Sequence, residues 1–359
     1  MREFGTNNHP RQLYSRYLSF WSTPMERVLV TGGAGFIGSN LVSRLLAEGC
    51  SVTVLDNLSR AGVRANVAWL QSLGSPRLTL IRGDIRDRHA VETAICGVDT
   101  VFHLAAQVAV TTSVSNPRED FEVNALGAFN VLDAARRQEK PPAVIFTSTN
   151  KVYGAMEDVE VSETAQRYIL PSYPDGISEE RPLDFHSPYG CSKGTADQYT
   201  IDFSRIYGLR TAVFRMSCIY GPRQFGNEDQ GWVAHFGLRA LAGEPITIFG
   251  DGKQVRDILY VDDLIAALLA ARQRAEQTPT QVYNVGGGPA NTVSLLELLA
   301  LLEERLGRPI ARCFGAWRPG DQRVYISDIR KIRAETGWSP QVGVEEGIDR
   351  LLAWLRTLR

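Results

Sequence analysis

The sequence predicts an α/β chain, a doubly wound parallel sheet with a smaller C-terminal lobe. Three observations carry this. A strand, a glycine turn and a helix start follow one another over residues 27–40, with Gly32, Gly35 and Gly38 at three-residue intervals. Strand-like and helical stretches then alternate with short connections to about Tyr207, the pattern of a parallel sheet covered by helices on both faces. Beyond Gly221 the alternation turns irregular, with helices near 294–306 and 344–358. The architecture expected is therefore Rossmann-like, with 26–216 as the dinucleotide-binding domain, 253–285 returning to it, and 217–359 mainly a substrate lobe.

Val28, Leu29 and Val30 read as the first buried strand, and Leu41, Val42, Leu45 and Leu46 as one face of the helix after the turn. Glycines suit that turn because side chains would keep the backbone from a pyrophosphate, whose charge the helix N-terminus favours. The helix stops at Gly49, a second strand covers 51–55, and Asp56 closes it, where an acid can accept hydrogen bonds from the adenine ribose hydroxyls. An acid there repels a 2′-phosphate, so NAD is favoured over NADP, and Arg60 weakens that preference slightly. A third strand over 78–82 leads into Gly83, Asp84 and Ile85, and a helix follows to near Cys96. A fourth strand, 101–104, runs into Ala105, Ala106 and Gln107, a long helix spans 116–137, and a fifth strand, 143–146, ends in Thr147, Ser148 and Thr149. Asp84, Ala105, Ala106 and Thr147 thus share the carboxyl edge, where ligands sit in such sheets. Residues 154–186, rich in Glu, Pro and Asp, read as a long loop over the site.

Composition narrows the class. The 359 residues carry 39 basic and 40 acidic side chains, which argues against nucleic acid or an anionic membrane as partner. The longest apolar run, 264–271, is too short to cross a bilayer. Five cysteines without C-x-x-C spacing suit reduced thiols in a cytoplasm and no metal. Residues 1–25 read as a loose extension, with Met25 directly before the first strand.

Ser187 and Pro188 announce a helix as N-cap and first residue, which sets Tyr189 and Lys193 one turn apart on one face. A tyrosine near pKa 10 is a poor base at neutral pH, and a neighbouring ammonium together with a nicotinamide cation would stabilise its phenolate. Thr149, on the edge where the glycine turn opens, can hydrogen-bond the same substrate oxygen. Neither His103 nor His186 is given a catalytic role.

The glycine triplet, Asp56, Thr149 ahead of Val152-Tyr153-Gly154, Tyr189-x-x-x-Lys193 and Arg215-x-Ser217-x-x-Tyr220-Gly221-Pro222 together resemble the extended short-chain dehydrogenase/reductase family of nucleotide-sugar enzymes, from Arg27 onward. The resemblance implies tightly held NAD, with Thr149, Tyr189 and Lys193 as catalytic trio. It implies cofactor contacts at Gly32, Gly35, Phe36, Ile37, Gly38, Asp56, Asn57, Ser59, Arg60, Asp84, Ile85, Leu104, Ala105, Ala106, Gln107, Thr147, Tyr189, Lys193 and Ile219. For the substrate, a nucleotide-diphosphate sugar, it implies Gln107, Thr149, Asn150, Lys151, Tyr189, Ser217, Arg223, Trp232, Arg256 and Arg323, the two last for the diphosphate. In the family's 4,6-dehydratases an acidic pair follows the threonine, and here Asn150 and Lys151 stand there, so dehydration is not expected. The decarboxylases' glutamate is missing too. Instead, 148–154, 183–193, Arg223-Gln224-Phe225 with Asp229-Gln230-Gly231-Trp232, 252–257 and 321–324 resemble the CDP-paratose 2-epimerase (CDP-tyvelose epimerase) branch. That branch implies an isomerase acting on a CDP-hexose: oxidation at C2 to a 2-ketone, turnover of the ketosugar, and hydride return to the opposite face. The alternatives are a 4-epimerase of the UDP-glucose type or a dehydrogenase that releases NADH. A homodimer or homotetramer is expected, since helices like those at 116–137 and 188–207 form dimer bundles in this family.

Overall fold

A computed structural model of the chain describes residues 25–275, 278, 280–318 and 321–358. The expected extension, Met25 apart, lies outside the described residues. From Arg27 the chain builds β1 (Arg27–Thr31), α1 (Phe36–Ala47), β2 (Ser51–Asp56), α2 (Val63–Ser72), β3 (Leu78–Arg82), α3 (Arg88–Ile95) and β4 (Thr100–His103). After α4 (Val110–Ser115), the helix expected over 116–137 is a chain of pieces: α5 (Pro117–Phe121), a wide π turn (Glu122–Leu126) and α6 (Gly127–Arg136). Asn116 makes the break, because its side chain accepts the Glu119 amide and starts a new helix at Pro117.

β5 (Ala143–Thr149) is longer than its apolar run, carrying the strand through Thr147, Ser148 and Thr149. The loop expected over 154–186 holds only a two-residue pair, β6 (Ser162–Glu163) and β7 (Tyr168–Ile169). α7 (Ser187–Tyr207) follows. Ser187 takes a φ of +62° and accepts the Gly190 amide at 3.2 Å, the capping bond that its position before Pro188 foretold. β8 (Thr211–Met216) comes next, and a later strand, β12 (Thr280–Val285), completes a seven-stranded parallel sheet in the order β12-β8-β5-β4-β1-β2-β3. The strand order reverses between β1 and β4, which opens a crevice at their carboxyl ends.

The second lobe comprises β9 (Cys218–Tyr220), α8 (Trp232–Ala242), β10 (Ile246–Phe249), β11 (Val255–Tyr260), β13 (Thr292–Ser294), α10 (Leu295–Leu306), β14 (Arg312–Gly315), β15 (Val324–Tyr325) and α12 (Val344–Arg356). Between β11 and β13 the chain crosses back: α9 (Val261–Ala275) covers one face of the large sheet and β12 becomes its edge strand. α11 (Arg330–Thr336) joins the same core through Ile332. The return expected over 253–285 is thus divided, since β11 pairs with β9, β13 and β15 in the lobe and only α9 and β12 rejoin the large sheet.

One buried pair ties α7 to the sheet. Arg215 of β8 donates from Nε and Nη2 to the two oxygens of Asp197, each at 3.0 Å, and Asp197 also accepts from the Ser148 hydroxyl at 2.7 Å. Arg215 Nη1 reaches the Tyr153 hydroxyl, which donates to Asn284 of β12 at 2.7 Å. Both ions are satisfied, so the pair is sound only while complete. Arg215→Leu leaves Asp197 charged and alone in the interior, and is expected to cost about 3–5 kcal/mol, read as a fall in the urea unfolding midpoint. Arg215→Lys, which keeps the charge and loses the fork, should fall between that variant and the wild type.

Candidate active site

The turn after β1 is set by its glycines. At Gly32, φ is +68° and a Cβ would stand 2.7 Å from the Ala105 nitrogen. At Gly38 a Cβ would stand 2.2 Å from the Gly32 carbonyl oxygen, so α1 can start flush against the turn only without one. The first turn of α1 carries no side-chain cap. At the end of β2, Asp56 accepts the Ala34 and Leu58 amides at 3.1 and 2.9 Å, and burial pushes its carboxyl up against these bonds. At the end of β3, hydrogen bonds from Arg86 hold Asp84 down at about 2, and Asn57 donates to the same carboxylate.

These ends line a cavity of about 470 Å³ that runs from the glycine turn to Lys193. Every residue expected to hold the cofactor lines it except Ile219, which lines the neighbouring cavity. Gln107 borders it with its side chain already engaged, since Nε2 donates to Asp120 and the Ala109 carbonyl, and Oε1 accepts the Ala109 amide.

A second cavity, about 600 Å³, lies between the lobes. Tyr189 lines both, so its phenol stands where the two meet. Its place is fixed from behind: Ser113 accepts the Tyr189 amide at 3.2 Å, and buried Asp120 accepts Ser192 Oγ at 2.5 Å and Asn124 Nδ2 at 3.0 Å. Asn124 sits on the π turn, and none of Ser113, Asp120 or Asn124 carried a sequence signal of its own.

Lys193, 3 % exposed, donates to the Thr147 carbonyl at 2.5 Å and lies 4.2 Å from the centre of the Phe146 ring. Burial brings its ammonium down to about 7, against the pull of Asp197 and Asp120. Burial pushes the Tyr189 phenol up to about 12, while a hydrogen bond with Thr149 works the other way. The phenolate expected from the Tyr-Lys spacing is therefore not sustained by Lys193 alone, because both groups pay desolvation in the same dry corner.

In the second cavity, Thr149, Asn150, Lys151, Ser217, Trp232 and Arg256 gather as expected. Asn150 donates to Gln322 at 3.2 Å, Ser217 donates to the Asp257 carbonyl at 2.9 Å, and the Trp232 indole donates to Cys218 Sγ at 3.3 Å. Arg256 donates to Asp321 at 2.6 Å, and Lys151 approaches the same oxygen to 3.7 Å. Burial would raise Asp321, but Arg256 and Lys151 hold it below the usual carboxylate range. Two cations thus share one carboxylate, and Glu228 and Asp229 line the same cavity, Asp229 at 3.7 Å from Arg318.

Arg223 and Arg323 are not brought to either cavity. Arg223 has a φ of +71° and lays its guanidinium over Trp69 of α2, joining the lobes. Arg323 lies 5.3 Å from the centre of the Tyr168 ring, while its carbonyl accepts the Val255 amide. Arg318 occupies the cavity in their stead, 4.1 Å from the centre of the Phe249 ring and donating to the Glu228 carbonyl at 3.0 Å. Nothing in residue spacing separates Arg318 from Arg323, since the choice depends on how the chain enters β15.

Residues 28–286 match the model of the NAD dependent epimerase/dehydratase family. The chain belongs to that family. Over 339 residues, 92 % of this chain and 100 % of the relative, it is 44 % identical to the CDP-paratose 2-epimerase of Salmonella typhi. A dTDP-glucose 4,6-dehydratase of Actinoplanes sp. is 34 % identical over 93 % of this chain and 98 % of its own length. Among solved structures, the UDP-glucose 4-epimerase of Thermus thermophilus in complex with NAD is similar at a TM-score of 0.77 and 36 % identity, over 92 % of this chain and 99 % of that one.

The cofactor of this epimerase/dehydratase chain is NAD, and the first cavity fits it. The uncapped turn of α1 offers amides to a pyrophosphate, Asp56 offers oxygens to a ribose, and Tyr189 and Lys193 close the far end. The low pKa of Lys193 sets a pH test. Between about 7 and its unfolded value near 10.4, the unfolded chain binds the proton and the folded chain does not, so stability rises with pH in that window. Between pH 7 and 9 the wild type should gain on Lys193→Met by up to about 1.4 kcal/mol per pH unit, measured by urea melts at each pH.

Proposed function

We propose that the chain is an NAD-dependent isomerase that inverts C2 of a CDP-hexose, of the CDP-paratose/CDP-tyvelose type, through a 2-keto intermediate. The observation that carries this reading is the meeting of the two cavities at Tyr189, with Thr149 beside it and an amide and an ammonium, Asn150 and Lys151, in place of an acidic pair. Without those carboxylates a leaving hydroxyl has no proton donor there, and epimerisation is the chemistry left to the trio. The likeness to the Salmonella typhi enzyme adds the base and the carbon.

NAD, when bound, takes up and returns the hydrogen of the sugar carbon and brings a cation to the phenol. Thr149 and Tyr189 hold the sugar hydroxyl, and Tyr189 takes its proton. Lys193, anchored on Thr147, keeps its end of the site dry and oriented. Lys151, Arg256 and Arg318 grip the diphosphate, which lets the hexose turn while the nucleotide stays. A firm grip on the anion and a loose one on the hexose is what inversion without release requires.

The chain acts as a homodimer or homotetramer in a reducing cytoplasm. Phe121, Leu126, Phe129, Ile206 and Tyr207 are exposed apolar side chains on α5, the π turn, α6 and α7, the kind of surface that an interface would cover. All five cysteines are free. No helix among the described residues is long and apolar enough to cross a membrane.

Tyr189→Phe should keep its NAD and lose at least about 100-fold in turnover, read by NMR of the sugar carbons with CDP-paratose. In deuterated buffer the wild type should invert C2 without taking up deuterium. Inversion at C4, net NADH release, or deuterium at C2 would sink the assignment. Ile206→Lys should shift the protein towards monomer in light scattering.

A further inference from the structure

The second cavity holds a group that the chemistry leaves unused. Lys151 and Arg256 both reach Asp321 in it, and Gln254, just ahead of β11, lines the same cavity. Phe249, Phe236, Leu295 and Thr247 line it too, with Arg318 over the Phe249 ring. The cavity thus sets aromatic and aliphatic sides beside its cations, a lining suited to a flat ring.

Within it Gln254 is 3 % exposed. Its Nε2 donates to the Phe249 carbonyl at 2.7 Å, which fixes the amide's orientation, since a flip would set two acceptors against each other. Its Oε1 is buried and has no hydrogen-bond partner. A buried acceptor without a donor is costly, and a ligand N–H placed there would remove the cost.

We propose that Gln254 is the base-reading residue of this site: its Oε1 accepts a hydrogen bond from the exocyclic amine of cytosine. The inference rests on the nucleotide-sugar reading above. In one and the same pose, cytosine offers an N–H donor where uracil and thymine offer a carbonyl oxygen, and that oxygen would face Oε1 as acceptor against acceptor. Gln254 thus selects CDP-sugars by welcoming one base and repelling the others.

Calorimetric titration of the NAD-loaded protein with CDP, UDP and N4,N4-dimethyl-CDP tests this. The wild type should bind CDP roughly 10-fold or more tighter than UDP or the dimethyl compound, and Gln254→Leu should bring CDP down to the level of UDP. Retained NAD in the variant certifies its fold. An equal CDP-to-UDP ratio in wild type and Gln254→Leu overturns the assignment and leaves the nucleotide-sugar reading standing. If the wild type binds neither nucleotide, that reading fails and the assignment falls with it.

Discussion

The pairing of Asp197 with Arg215 is the constraint from which the rest of the site takes its geometry. Asp197 stands one helical turn beyond Lys193, as Lys193 does beyond Tyr189, so fixing its carboxylate fixes the rotation of α7. The same carboxylate holds Ser148, which lies between the Thr147 that receives Lys193 and the Thr149 that meets Tyr189. Through Tyr153 and Asn284 the network reaches β12, the strand that the chain contributes after leaving the second lobe. A helix, three strands and the start of the long loop are thereby set against one buried ion pair.

Burial does more in this site than hold it together. Lys193 and Tyr189 are both driven towards their neutral forms, one down to about 7 and the other up to about 12. A dry corner makes each charge unfavourable until an opposite charge arrives to offset it, and the nicotinamide cation of bound NAD would favour the Tyr189 phenolate while disfavouring the Lys193 ammonium.

The two cavities divide the labour by position. The first lies at the carboxyl ends of the parallel strands, where backbone amides and Asp56 face inward. The second lies between the lobes, with Arg256, Arg318, Trp232 and Phe249 from the second lobe and Thr149, Lys151 and Tyr189 from the first. Asp257 seals the junction, accepting the Ser217 hydroxyl and the Ser327 and Gly288 amides. In this way Asp257 ties segments of the two lobes to each other.

What lay open to sequence reading was local. The glycine turn, Asp56, the Ser187-Pro188 helix start and the Tyr189-Lys193 spacing each announce themselves within one or two turns of chain, where backbone geometry and side-chain period decide. The helix start at Asn116 was local too and fell where the sequence put it, whereas the π turn at Glu122–Leu126 inside that helix carried no local signal. What only the tertiary structure decided were contacts between distant segments: Arg318 in the cavity while Arg323 turns to Tyr168, Asp120 and Asn124 behind the tyrosine, and Gln254 with an idle acceptor. Period tells which side of its own element a residue occupies. Which partner waits on that side is settled only when distant strands pair and exclude water, and so are the pKa values of Tyr189 and Lys193.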